Sequence, residues 1–132
     1  MTDGQRRADY RAACLTAGRY DLLAAEYVYP LAVYLPGAPA MLASAEETQD
    51  FFCGFHAALQ RRGLTRLSAR VTAEGLPLNG RARLWTDWHA DGPGKPPELV
   101  AQTICYRRVA GGDDRTEMLE FTRLDIALPR AA

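Results

Sequence analysis

The chain has 132 residues, with sixteen basic side chains against sixteen acidic ones, 48% hydrophobic and 24% charged residues. That length suits one domain that buries a core without disulfides or metal, and the composition is that of a globular protein rather than a disordered or fibrous one. Balanced charge argues against a long-range field that gathers nucleic acid, and no stretch approaches the ~20 apolar residues that span a bilayer, so neither nucleic acid nor membrane is an expected partner.

In chain order, Tyr10, Ala13, Cys14 and Ala17 recur at helical spacing between Gln5 and Ala17, and Gly18 is placed to end that helix. A second, short helix is expected from about Arg19 to Glu26 in "RYDLLAAEY". "VYPLAVYLP" is apolar and β-prone, but Pro30 removes a ladder donor and points to an edge strand or an irregular extended segment. The third helix is the clearest. Ser44 with Glu47 fits a capping box, Phe51, Phe52, Phe55 and Leu59 form an apolar stripe, and Gly63 follows its end. Four strands are then expected between Leu64 and Leu128, the first two joined at Asn79-Gly80, a pair suited to the positive φ angles of a tight hairpin. "GPGKPP" and "AGGDD" read as the remaining loops. Helices followed by an antiparallel meander define an α+β fold with helices over one sheet face.

Counting outward from Asn79-Gly80 places Ala73 opposite Thr86 and Val71 opposite Trp88, with Leu84 on the same apolar face. The other face then carries Arg70 opposite His89, Thr72 opposite Asp87, and Glu74 opposite Trp85, with Arg83 alongside. A bulge at Gly75 or Pro77 would exchange the two faces. Asp87 and His89 point the same way on one strand, but their company of Arg and Glu is that of a solvated or subunit-facing surface. Glu120 differs, because its expected same-face neighbours Met118, Thr122, Leu124 and Ile126 are mostly apolar. A desolvated carboxylate is one way a fold obtains a proton-transfer group, and pairing with Arg107 or Arg108 is the structural alternative.

Cys14, Cys53 and Cys105 form no close-spaced pair, which suits a reducing cytoplasm, and "MTDGQRRADY" has no apolar signal core. Cys53 and His56 lie one helical turn apart without a third orienting group. No spacing of Cys, His and carboxylates suggests a metal, and no phosphate- or dinucleotide-binding motif occurs, so no cofactor is expected.

The order of helix, short helix, extended "VYPLAVYL", capped helix and long meander, with strand patterns such as "RARLWTDW" and "RTEMLEFTRL", resembles the nuclear transport factor 2-like superfamily. Ketosteroid isomerases, scytalone dehydratases and SnoaL-like polyketide cyclases share that fold. The resemblance implies one domain over residues 1–132, a cone-shaped, curved antiparallel or mixed sheet covered by three N-terminal helices (cystatin-like), an apolar pocket, and often a homodimer packed through the sheets. The catalytic groups of those enzymes have no counterparts here. "LVAQTIC" lacks the isomerase acid, "MLEFTRL" offers only Glu120 where the cyclases use His and Asp, and His56 and His89 fall on a helix and on the polar sheet face.

The leading expectation is a domain that binds a small, largely apolar molecule in a pocket drawn from Tyr27, Phe51, Phe55, Leu84, Thr86, Trp88 and Glu120. Two alternatives stand beside it. One is an isomerase, dehydratase or cyclase using Glu120 for proton transfer; the other is a non-catalytic dimerisation or partner-binding domain using Arg70, Arg83, Trp85 and Asp87.

Overall fold

The computed structural model describes residues 2–110 and 114–128. Helices α1 (Asp3–Thr16), α2 (Tyr20–Ala24) and α3 (Ala45–Arg61) accompany strands β1 (Tyr27–Leu35), β2 (Ala38–Leu42), β3 (Arg66–Glu74), β4 (Arg81–Gly92), β5 (Lys95–Arg108) and β6 (Thr116–Leu124). The strands form one sheet in the order β2-β1-β6-β5-β4-β3. Neighbours are antiparallel except β1 and β6, which run parallel and make the sheet mixed.

Local chemistry sets the helix ends. Thr2 Oγ1 accepts from the Gln5 amide at the start of α1, and Ser44 Oγ accepts from the Glu47 amide at the start of α3. The Glu47 carboxylate reaches back past the cap residue to the Ala43 amide, so the Ser44 half of the expected capping box forms and the reciprocal bond falls one residue earlier. Both long helices end in a glycine with positive φ, Gly18 at 72° and Gly63 at 74°. In each, the following residue's amide returns to a carbonyl five residues back, Arg19 to Cys14 and Leu64 to Leu59, the bonds of a Schellman cap.

The buried stripe of α1 differs from expectation. Gly4, Ala8, Arg11, Ala12, Cys14 and Leu15 are inside, whereas Tyr10, Ala13 and Ala17 are exposed. An arginine within an otherwise small and apolar period concealed the true face.

Pro30 does not mark an edge strand. β1 lies between β2 and β6, and Pro30 falls in the irregular stretch where the β1–β6 register shifts between Tyr27 and Ala32. The strand tolerates the missing donor because the ladder is interrupted there anyway. β2, which the sequence reading did not anticipate, is the true edge, and it is blunted by its own Pro39. The opposite edge, β3, is covered by α1: Gln5 accepts from the Val71 amide and donates to the Ala69 carbonyl, while Thr16 Oγ1 accepts from the Leu67 amide. "GPGKPP" is likewise shorter as a loop than expected, since Lys95, Pro96 and Pro97 already belong to β5.

Asn79 and Gly80, with φ of 54° and 72°, form the hairpin between β3 and β4, and Leu78 and Arg81 exchange both backbone bonds across it. Beyond the turn the pairing slips by two residues. Val71 opposes Thr86 and Ala69 opposes Trp88, with one irregularity between Val71 and Ala73 and another nearer the turn. Two single-residue slips restore the original facing along most of β3. Arg70 therefore pairs with Asp87 on the outer face, and Leu84, Thr86 and Trp88 lie on the helix-covered side.

Candidate functional site

Helices and inner sheet face enclose a cavity of about 40 Å³, lined by Arg11 and Leu15 of α1, Leu23 of α2, Tyr27 of β1, Phe52 and Phe55 of α3, and Leu67, Trp88, Thr103, Cys105, Leu119 and Phe121 of the sheet. Space of that size admits roughly three waters or one compact organic group. The wall is aromatic on the α3 side: Phe52 stacks on Tyr27 with ring centroids 5.7 Å apart, and Phe55 lies 6.4 Å from Phe121. Across from them the Trp88 indole donates to Thr103 Oγ1 at 2.8 Å, which fixes the ring and occupies that hydroxyl.

Four lining groups carry polarity: Arg11, Tyr27, Thr103 and Cys105. Burial pushes the Tyr27 phenol well above its ordinary value, so it stays protonated. Burial likewise raises the Cys105 thiol, which makes it a packed sulfhydryl rather than a nucleophile. For Arg11, burial opposes the charge, but negative groups around it, the Glu26 and Asp114 carboxylates among them, favour it, and the net direction is upward. Its guanidinium carbon lies 6.0 Å from the Tyr27 ring centroid.

Behind Arg11 lies a chain of ion pairs that ties α1 to the sheet. Glu26 pairs with both Arg11 and Arg7 at 3.4 Å, and Arg7 also donates to Asp114 at 2.9 Å. Arg107 grips Asp114 with Nε and Nη2, each at 2.8 Å, and approaches Asp3 and Glu74 only at 3.8 and 4.0 Å.

Of the residues expected to form the pocket, Tyr27, Phe55 and Trp88 line it. Leu84 and Thr86 are buried on the same sheet face but do not reach the cavity, and Phe51 packs at its back against Phe52 and Phe121. Glu120 lies elsewhere. It pairs with Ile104 of β5 on the outer face, where Tyr106 donates to it at 3.1 Å. A slip in the β5–β6 ladder after Phe121 splits the apolar row that the sequence suggested, so that Leu124 opposes inward-facing Ala101 while Met118 and Glu120 face out. Arg107 and Arg108 bind Asp114 and Glu117 instead. Desolvation, followed by the bond to Glu120, raises the Tyr106 phenol and keeps it a donor.

Two other sequence candidates are also resolved. His56 is buried, and Tyr20 Oη lies 2.6 Å from its Nδ1. Burial lowers the imidazole pKa and raises that of the phenol, so Tyr20 donates to a neutral ring. Asp87 accepts from Gln102 at 2.8 Å on the outer face, apart from His89. Among the described residues no cluster of His, Cys, Asp and Glu is placed to hold a metal, and no helix is long and apolar enough to cross a membrane.

A mixed, curved sheet whose inner face is closed by three N-terminal helices over a small apolar cavity defines a cystatin-like architecture. No family model matches the sequence, and no curated protein is similar enough to match. Solved structures match throughout. An NTF2-like protein with a cystatin-like fold from Novosphingobium aromaticivorans has a TM-score of 0.65 at 15% identity, covering 92% of this chain and 79% of that one. A protein described as a putative calcium/calmodulin-dependent protein kinase II association domain, from Xanthomonas campestris, gives 0.63 at 13% identity, covering 88% and 81%. A protein of ketosteroid isomerase-like fold from Catenulispora acidiphila, solved in complex with trimethylamine, gives 0.58 at 13% identity, covering 94% and 88%. The chain has the nuclear transport factor 2-like fold.

Proposed function

We propose that the protein binds a small, largely apolar molecule in the cavity between its helices and the inner face of the sheet. The observation that carries this reading is the cavity itself, walled by Phe52, Phe55, Phe121, Trp88 and leucines, with only a few polar groups at fixed positions. Its volume limits the occupant to a compact body, and a fold neighbour is described in complex with another small molecule, trimethylamine. Glu120 takes no part in this site, because it lies across the sheet.

Filling the space is the direct test. Leu23→Phe adds bulk at the α2 wall, and titration of acetone and ethanol, followed by ligand-observed NMR, should show affinity reduced at least about tenfold, the cost of losing one or two buried methylene equivalents. The melting temperature should hold or rise, as cavity-filling changes commonly give. Undiminished binding of both compounds to the filled variant removes the cavity as their site.

A second reading concerns the outer face, on which Ala32, Tyr34, Trp85, Ile104, Tyr106 and Met118 are presented by adjacent strands. Tyr34 and, on the neighbouring edge strand, Met41 are 45% and 60% exposed. Arg83 lies over Trp85, 5.1 Å from the ring centroid, and Glu120 stands directly opposite Ile104 on this face. We propose that two copies pack through this surface, since contiguous exposed apolar area marks an interaction site. Sedimentation should give twice the chain mass of 14.6 kDa, and Ile104→Glu, which sets a like charge opposite Glu120, should return it to the monomer. A wild-type monomer at micromolar concentration defeats this reading without touching the first.

A further inference from the structure

We infer that the cavity's ligand carries an anionic head, a carboxylate on a compact apolar body, and that Arg11 receives it. This inference rests on the cavity being a ligand site. Its own support is Arg11, a lining residue only 2% exposed, whose Nε and Nη2 have no hydrogen-bond partner among the described residues. Glu26 Oε1 stands 3.4 Å from Nε, near enough to balance charge but out of line for its N–H to form a hydrogen bond, and the same carboxylate is shared with Arg7.

Buried guanidinium donors left unfilled are costly, and satisfied examples normally bond to a carboxylate in a planar fork. The ion-pair network leads the same way: Glu26 is shared with Arg7, and Asp114 is taken up by Arg7 and Arg107, so Arg11 has no carboxylate of its own. Tyr27, whose ring lies beside the guanidinium, keeps its phenolic proton and adds a second donor to the same wall. The rest of the lining is apolar apart from the neutral Cys105 thiol, a weak donor, and Thr103, whose hydroxyl already accepts from Trp88, so the complementary molecule has acceptors at one end and mostly hydrocarbon elsewhere.

Acetate and ethanol share a methyl group, differ in the head and suit a space of this size, so their dissociation constants for the full chain, measured by titration of amide chemical shifts, separate the two levels of the argument. The charged head should bind at least about tenfold tighter than the hydroxyl, the increment of a charge-assisted hydrogen bond over a neutral one. Arg11→Met, which keeps the stem and loses the donors, should abolish that preference while ethanol still binds. Arg11→Lys, which keeps the charge and loses the fork, should retain part of it and provides the comparison if the methionine variant does not fold. Equal affinities in the wild type, or an acetate preference that survives in either variant undiminished, overturn the anionic head and leave the apolar site standing. Absence of binding by both compounds at the highest concentration the protein tolerates overturns the site and the head together.

Discussion

Arg107→Met should lower the melting temperature by about 10 °C or more, the largest loss expected from any single ionic side chain here. The Arg107 side chain is 8% exposed and holds Asp114 through two parallel bonds of 2.8 Å, and Asp114 in turn accepts from Arg7 on α1. Removing one partner of a buried pair costs about 3–5 kcal/mol, because the remaining charge stays desolvated without its counterion. For a chain of this size that corresponds to roughly 3 °C per kcal/mol. Asp114→Asn keeps the shape and some of the bonds, and should cost less than Arg107→Met. Thermal unfolding of both variants decides it; a shift below about 3 °C for Arg107→Met would mean that the network contributes geometry without stability.

Gly92→Ala should be comparably damaging for a steric reason. A Cβ at that position would lie 1.9 Å from the Gly63 carbonyl oxygen and 3.1 Å from its carbon, both backbone atoms that no rotamer change can move. Gly63 is held by the cap that ends α3, and Leu64, 1% exposed, anchors the next residue in the core. The β4–β5 turn and the end of α3 must therefore separate, at a cost at or above the ~1–3 kcal/mol of ordinary overpacking. Alanine's smaller unfolded-state entropy returns only about 0.4–1 kcal/mol of that. Gly37→Ala supplies the contrast: its φ is 88° with open space around it, so it should show only the ~1–2 kcal/mol of left-handed strain. If chemical denaturation ranks Gly37→Ala as the more harmful change, the close approach at Gly63 is not what requires glycine at position 92.

Much of the fold was legible from local chemistry. Ser44 and Glu47, Gly18 and Gly63, and Asn79-Gly80 act within a few residues of themselves, and each does in the fold what its chemistry predicts. The inward facing of Leu84, Thr86 and Trp88 was legible too, because alternation along a strand survives a slip of two residues. The pocket was half legible. Tyr27, Phe55 and Trp88 are apolar rings at core positions, whereas Arg11 breaks the pattern by which a buried helix face is recognised. Its signal was the spacing of Gly4, Ala8, Arg11, Ala12 and Leu15, in which a single charge interrupts small and apolar neighbours.

Helix ends, turn and order of elements follow from interactions between residues close in the chain, and for these the amino-acid sequence is sufficient. Which polar group reaches the cavity follows from pairing across the sheet. One slip beside Phe121 separates the facing of Glu120 from that of Leu124, and the packing of α1 over β3 carries Arg11 inside. Bulges and buried charges are selected by partners distant in sequence, since their energies are paid or recovered only once those partners meet, and so the tertiary structure alone puts Arg11 rather than Glu120 in the cavity wall.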